Sequence, residues 1–134
     1  MRFSTCLLGA ILAFPTALLL GSGMSLAVAA GDPGHGKKIF AKCQACHSIE
    51  AGVNKVGPSL HGVIGRASAT APSYTYSDAM KNAHVNWTPE ILDQYLTNPK
   101  KMVPGTKMTF PGLPKEQDRA DVIAYLEQAA GSSQ

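Results

Sequence analysis

Apolar residues are arranged along this chain in two ways. Leu7 to Leu20 reads LLGAILAFPTALLL, an almost continuous apolar run. From Gly31 onward no such run recurs, and apolar positions fall at helical spacing or in short isolated pairs. Asp32 as N-cap and Pro33 at the first helical position predict a helix start, with Ile39, Phe40 and Cys43 on one face. Ser77 predicts the cap of a short helix through Ala83. Thr88-Pro89-Glu90 opens another, with Ile91, Leu92, Tyr95 and Leu96 on one side. Asn98-Pro99 stops it, because the residue before a proline avoids the helical region. A last helix from about Glu116 to Ala129 has Val122, Ile123 and Leu126 as its apolar face. No segment alternates convincingly as a strand. The regular part of the chain is therefore all-α: three main helices joined by long irregular loops.

Those loops set a packing problem. GVNKVGPSLHGVIGRASATAPSYTYS, residues 52–77, has little helical or alternating periodicity. Loops this long in a compact domain are usually disordered or wrapped around something functional. Val53, Val56, Leu60, Val63 and Ile64 argue against disorder. Yet the helices and this loop together hold too little apolar mass to fill the middle of a domain, which in a small chain is already limited.

The N-terminal apolar run belongs to another kind of segment. Arg2 precedes it, and small residues follow it in SLAVAAG. Charge, apolar stretch and small-residue exit together predict a secretory signal peptide over residues 1–30, cleaved after Ala29 or Ala30, with Ala27-Val28-Ala29 as the A-x-A-like site. The alternative is an uncleaved membrane anchor. Pro15 and Thr16 interrupt the run, and it is shorter than the roughly 20 residues of a spanning helix. Residues 31–134 then form one exported domain. Losing residues 1–30 removes only Arg2 among the charges, leaving 11 basic against nine acidic side chains. A formal +2 is too weak to argue for nucleic acid as a partner. Cys6 leaves as well, so only Cys43 and Cys46 remain. In an oxidising compartment two thiols ordinarily pair, but a disulfide closing so short a loop would constrain the unfolded chain little.

Cys43-Gln44-Ala45-Cys46-His47 fits C-x-x-C-H, the attachment pattern for c-type haem. Each thiol adds to one vinyl group of the haem, giving two thioethers. Cysteines three apart on one helical turn face the same way, so both reach one porphyrin edge. His47 follows as the proximal ligand of the iron. The haem would then be the missing core. A Cys-x-x-Cys redox pair would sit near a βαβ pattern, which is not visible here. A zinc site needs four nitrogen or sulfur ligands. Cys43, Cys46, His47 and His61 could be assembled, but the spacing downstream fits no zinc pattern. For the sixth position of the iron the candidates are Met80, Met102, Met108, His35, His61 and His84, and spacing alone does not choose among them.

NPKKMVPGTKMTFPGL resembles the methionine-ligand loop of class I cytochromes c, the short soluble mitochondrial and bacterial type. So, in order, do GKKIFAKCQACHSIE, VGPSLHGVIGR, YTYSDA, NWTPEILDQYLTNPKK and DRADVIAYL, which together cover nearly all of the chain after residue 30. The resemblance implies the cytochrome c fold, with helices and loops wrapped around one covalently bound haem. It implies His47 as fifth ligand and Met108 as sixth, with Met102 as packing. It implies that the Pro58 carbonyl accepts from the free ring N–H of His47, which orients the ring. Tyr95 and Thr106 fall where the family hydrogen-bonds around the methionine and a haem propionate. Arg66, Tyr76 and Trp87 match positions that surround and neutralise the propionates, and Phe110 should shield the haem edge. Plain core packing is the competing reading for each aromatic. Met80 departs from the pattern: many relatives have a polar residue there, and a thioether would dry the pocket or act as a rival ligand.

Met/His ligation closes the iron and raises its potential relative to histidine alone. The expected function is a one-electron shuttle, not an enzyme. Lys37, Lys38, Lys42, Lys55, Lys100, Lys101, Lys107 and Lys115 cluster around the two haem-binding segments, whereas Glu116, Asp118, Asp121 and Glu127 gather in the last helix. A positive rim of this kind would steer acidic docking sites in small, fast encounters. Expected donors are a quinol–cytochrome c reductase or a periplasmic dehydrogenase; expected acceptors are a terminal oxidase, a photosynthetic reaction centre or a peroxidase. The protein is expected to be a monomer in the bacterial periplasm, without stable membrane insertion after cleavage. The competing readings are a haem enzyme or gas sensor with an open sixth position, and a carrier still tethered by residues 1–30.

Overall fold

The computed structural model describes residues 30–131. The signal segment and its cleavage at Ala29 or Ala30 lie outside the described residues. Five helical pieces follow in order: α1 (Pro33–Phe40), α2 (Asp78–Lys81), α3 (Pro89–Thr97), α4 (Pro99–Met102) and α5 (Glu116–Ala129). Among the described residues there is no strand, and Ala67 and Asn86 meet in an isolated antiparallel bridge. The all-α expectation holds, with three main helices and two single turns.

Caps explain most of the boundaries. Asp32 accepts from Gly34 N–H at 2.8 Å, Ser77 from Met80 N–H at 3.2 Å, and Thr88 from Ile91 N–H at 3.3 Å. Each such cap is worth about 1 kcal/mol. α2 ends two residues earlier than expected: His84 turns to φ 48°, a left-handed conformation that cannot continue a helix. α4 was not anticipated. Asn98 leaves α3 at φ −160°, ψ 93°, but its side chain accepts from Lys101 N–H at 3.0 Å, so the residue that stops one helix starts the next. Pro99 suits that restart, since its fixed φ and missing N–H cost nothing at the first position.

α1 and α5 cross at contact distance. A Cβ on Gly36 would overlap the Asp121 carbonyl, and one on Gly31 would overlap that of Ala120. Phe40 and Tyr125 pack across the same junction, their rings tilted by 48° with centroids 5.3 Å apart. Asp121 is 2 % exposed. It is therefore not part of a solvated acidic face on the last helix. One carboxylate oxygen accepts from Asp32 N–H at 2.7 Å and Gln117 Nε2 at 2.8 Å, and the other meets His35 Nδ1 at 2.7 Å. A carboxylate from α5 thus satisfies the open N–H end of α1. Arg119, also buried, donates to Asp93 Oδ1 at 2.7 Å and to the carbonyls of Leu113 and Pro114, tying α5 to α3.

Residues 41–77 take a different route to order. They hold no helix or strand, and they are fixed by side chains reaching backbone groups. Asn54 accepts from Ser59 N–H at 2.9 Å and donates to the Pro72 carbonyl at 2.9 Å. Tyr74 donates to the Val56 carbonyl at 2.7 Å, and Ser59 to that of Glu50 at 2.6 Å.

Candidate haem-binding site

Helices and loops enclose a cavity of about 580 Å³. Phe40, Leu60, Leu92, Leu96, Val122 and Leu126 form much of its wall. Every site residue expected from the sequence lines it: Cys43, Cys46, His47, Pro58, Arg66, Tyr76, Trp87, Tyr95, Thr106 and Met108. So do Met80 and Phe110. Met102, His35, His61 and His84 do not. Met102 instead borders a separate shallow pocket with Ala79, Asn82 and Val103.

The cysteines do not sit in the helix proper. α1 ends at Phe40, and residues 41–46 continue as successive turns. Cys46 N–H and His47 N–H both reach the Cys43 carbonyl, at 3.0 and 2.9 Å, so one turn still separates the thiols. Both thiols are free, Cys46 exposed and Cys43 partly buried. Burial pushes the Cys43 thiol up from its ordinary value, and the Lys42 charge opposes this.

His47 is held by its far nitrogen. Nδ1 lies 2.7 Å from the Pro58 carbonyl, which can only accept, so Nδ1 carries the hydrogen. Burial lowers the ring's pKa from 6.5, the Pro58 bond raises it, and the Lys55 charge lowers it. A neutral ring protonated on Nδ1 leaves the Nε2 lone pair bare, the form in which imidazole binds a metal. Gly57 permits this placement: a Cβ there would run into the imidazole. Glycine before Pro58 is visible in VGPSLHG, but its reason is steric and needs the ring's position.

Tyr95 Oη donates to the Met108 sulfur at 3.4 Å. Thr106 Oγ1 accepts from Met108 N–H at 3.2 Å. Burial raises the Tyr95 pKa, and the Thr106 hydroxyl beside it opposes this. The Trp87 ring lies 4.9 Å from that of Tyr95 and is 7 % exposed, so it packs as well as lining the site. Tyr76 Oη accepts from Ala71 N–H at 3.2 Å. Arg66 donates to the carbonyls of His61 at 2.6 Å and Ser59 at 2.9 Å, and its Nε is buried with no partner. A buried orphan donor of a cation beside an apolar cavity asks for an anion.

A haem meets these requirements: an apolar macrocycle for the wall, vinyl groups for two thiols, a metal for Nε2 and carboxylates for Arg66. A family model described as Cytochrome c matches residues 34–130. The chain belongs to the cytochrome c family. It is 54 % identical over 101 residues to cytochrome c of Ginkgo biloba, covering 74 % of this chain and 89 % of that one. It is also 54 % identical over 100 residues to cytochrome c2 of Rhodoblastus acidophilus, covering 74 % and 94 %. Among solved structures it resembles cytochrome cH from Methylobacterium extorquens, with TM-score 0.69, 45 % identity, and 73 % and 99 % of the two chains covered. Like other cytochromes c, this one carries haem c covalently through Cys43 and Cys46, and it is an electron carrier, not an enzyme.

Proposed function

We propose that this cytochrome c is a periplasmic one-electron shuttle whose iron is held between His47 and Met108. One observation carries the ligand assignment. Of the six candidates for the sixth position only Met80 and Met108 line the cavity, and Met108 is the one whose sulfur is oriented by a hydroxyl. The haem supplies the iron that holds or releases a single electron. The chain's residues position that iron and keep the site closed. Pro58 orients His47, Tyr95 and Thr106 orient Met108, and the unpartnered Arg66 Nε would take a propionate.

The lining favours a carrier over the competing enzyme or gas-sensor reading. It contains no aspartate or glutamate. The hydroxyls of Tyr76, Ser77 and Thr106 each accept a backbone N–H, from Ala71, Met80 and Met108. No free carboxylate stands ready to move a substrate proton. The Met80 thioether adds an apolar wall and offers water little to bond.

Docking follows from charge. All eight lysines around the haem segments are exposed, and Lys42 and Lys107 line the cavity mouth. This supports a positive rim that meets acidic sites on a quinol–cytochrome c reductase, dehydrogenase, oxidase or reaction centre, with the carrier as a monomer. Residues 1–30 support export. Among the described residues no helix is long and apolar enough to cross a membrane.

The test is optical. The oxidised holoprotein should show the weak far-red absorption of a methionine sulfur on ferric iron, and Met108→Ala should lose it. If that band is missing from the wild type and the reduced protein binds carbon monoxide readily, the sixth position is open and the enzyme or sensor reading replaces this one. Electron-transfer rates should also fall steeply with added salt.

A further inference from the structure

After residue 30 the chain has three methionines, and they stand in different places. Met80 and Met108 line the large cavity, where a haem covers them. Met102 closes α4 and borders the separate pocket of about 220 Å³, whose rim residues Asn82 and Pro104 are exposed. A thioether sulfur has two lone pairs. In Met108 one accepts from the Tyr95 hydroxyl at 3.4 Å, and the other belongs to the iron on the ligand reading. Among the described residues no donor reaches the Met102 sulfur, so both of its lone pairs are free. The pocket around it is apolar: Ala79, Ala83, Val85 and Val103 line it, and Asn82 is the one lining residue with a polar side chain. Met102 also adjoins the turn that carries the ligand. Val103, the next residue, is 4 % exposed and its carbonyl accepts from Thr106 N–H at 3.0 Å. Thr106 Oγ1 in turn accepts from Met108 N–H at 3.2 Å. α2 lies against the same turn, since a Cβ on Gly105 would come within 3.2 Å of the Ala79 Cβ.

We propose that Met102 is a modification site: hydrogen peroxide oxidises its sulfur before that of Met80 or Met108, and the sulfoxide loosens the turn that holds Met108. The inference rests on the reading of Met108 as an iron ligand. In the step a sulfur lone pair takes one peroxide oxygen and the O–O bond breaks. The second oxygen leaves as water, carrying both peroxide protons. Sulfur loses two electrons and the peroxide gains them. The product replaces a flexible apolar group by a polar, hydrogen-bond-accepting one. Ala79, Ala83, Val85 and Val103 offer it no donor side chain. The sulfoxide therefore turns outward to water, and the packing of Met102 between α2 and Val103 is lost. The next anchors along the chain are Thr106 and Met108. Oxidation at the surface pocket is in this way felt at the sixth position without touching the ligand itself.

The test exposes oxidised holoprotein to graded hydrogen peroxide and maps the added oxygen by peptide mass spectrometry, while the far-red band and the imidazole needed to displace Met108 are followed. Met102 should be oxidised roughly tenfold faster than Met108 or Met80. Displacement should then need about three- to tenfold less imidazole. Met102→Leu conserves volume and removes the sulfur, so it should fold normally and keep native imidazole resistance at the peroxide dose that weakens wild type. Met102→Gln places a polar group there without peroxide and should be displaced as easily as the oxidised wild type. If Met80 or Met108 gains oxygen first, the peroxide acts through the iron and the proposal is overturned. It is overturned equally if Met102→Leu weakens at the wild-type dose, or if fully oxidised Met102 leaves imidazole resistance unchanged. A failure of the ligand reading shows elsewhere, as an untreated wild-type protein without the far-red band.

Discussion

The crossing of α1 on α5 and the loop wall around the cavity solve the same problem in opposite ways. At the crossing the protein is complete in itself. Glycines let backbones touch, Val122 is 1 % exposed, and the buried Asp121 carboxylate has three partners. Around the cavity the protein is complete only as a frame. The loops satisfy their own backbone groups, yet an apolar space of about 580 Å³ and a buried Arg66 Nε are left over. The contrast teaches where the cofactor enters the stability of the fold: it completes the loop half, and it meets the crossing only along one side, at Phe40, Val122 and Leu126.

The largest expected effect comes from removing the cofactor. At about 24 cal/mol per Å³ of cavity, an empty 580 Å³ space corresponds to roughly 14 kcal/mol. Relaxation of the walls reduces this, but a domain of this kind has only about 5–15 kcal/mol in total. A Cys43→Ala/Cys46→Ala chain without haem should therefore be unfolded by circular dichroism at 25 °C. A cooperative native-like thermal transition in that chain would abolish the contrast.

Next comes the crossing itself. Gly36→Ala puts a methyl into the Asp121 carbonyl, so the helices must separate, at a cost of about 3 kcal/mol in the holoprotein's thermal unfolding. The far-red band should survive, because His47, Met108 and the groups that orient them, Pro58, Tyr95 and Thr106, lie on neither of the two helices. Loss of the band with little change in stability would mean that the two regions are coupled.

A smaller effect is set by pH. Asp32 N–H, then Gln117 and His35, hold the Asp121 carboxyl below its ordinary pKa of 3.8. A depressed carboxylate contributes stability above its unfolded-state pKa and loses it as pH falls through the folded value. Asp121→Asn should thus be less stable than wild type at neutral pH, with the gap closing in acid below pH 3.8. A gap that persists unchanged to low pH would assign the loss to packing, not charge.

Smallest is Tyr95→Phe. It removes the hydroxyl on the Met108 sulfur, about 1 kcal/mol for one hydrogen bond. The fold should be unaffected, while added imidazole should displace the methionine more readily. Equal resistance in the two proteins would show that the hydroxyl does not hold the thioether.

Much of this was legible before any coordinates. Asp32-Pro33, Ser77 and Thr88-Pro89 state helix starts in local chemistry, and the attachment motif states the cofactor in two thiols and an imidazole. The shortage of apolar mass anticipated the cavity. What escaped were features whose cause is spatial. α4 hides behind Asn98, whose two roles look like one stop signal. Asp121 reads as one acid among several on a polar helix until α1 is laid across it. Gly57 looks like loop filler until the imidazole it makes room for is in place.

The pairing of the first helix with the last has a consequence for the order of assembly. His35 and Asp121 are 86 positions apart. α1 is the first helix of the domain to be synthesised, and its partner is the last. Throughout that interval the cysteines just past α1 border an unpaired helix, open to whatever machinery performs the attachment. Closing so long a loop is slow and entropically unfavourable. A haem already tethered beside α1 offers α5 a ready surface to settle on. The pairing of the first helix with the last is thus also the natural final step, a seal set after the cargo is aboard.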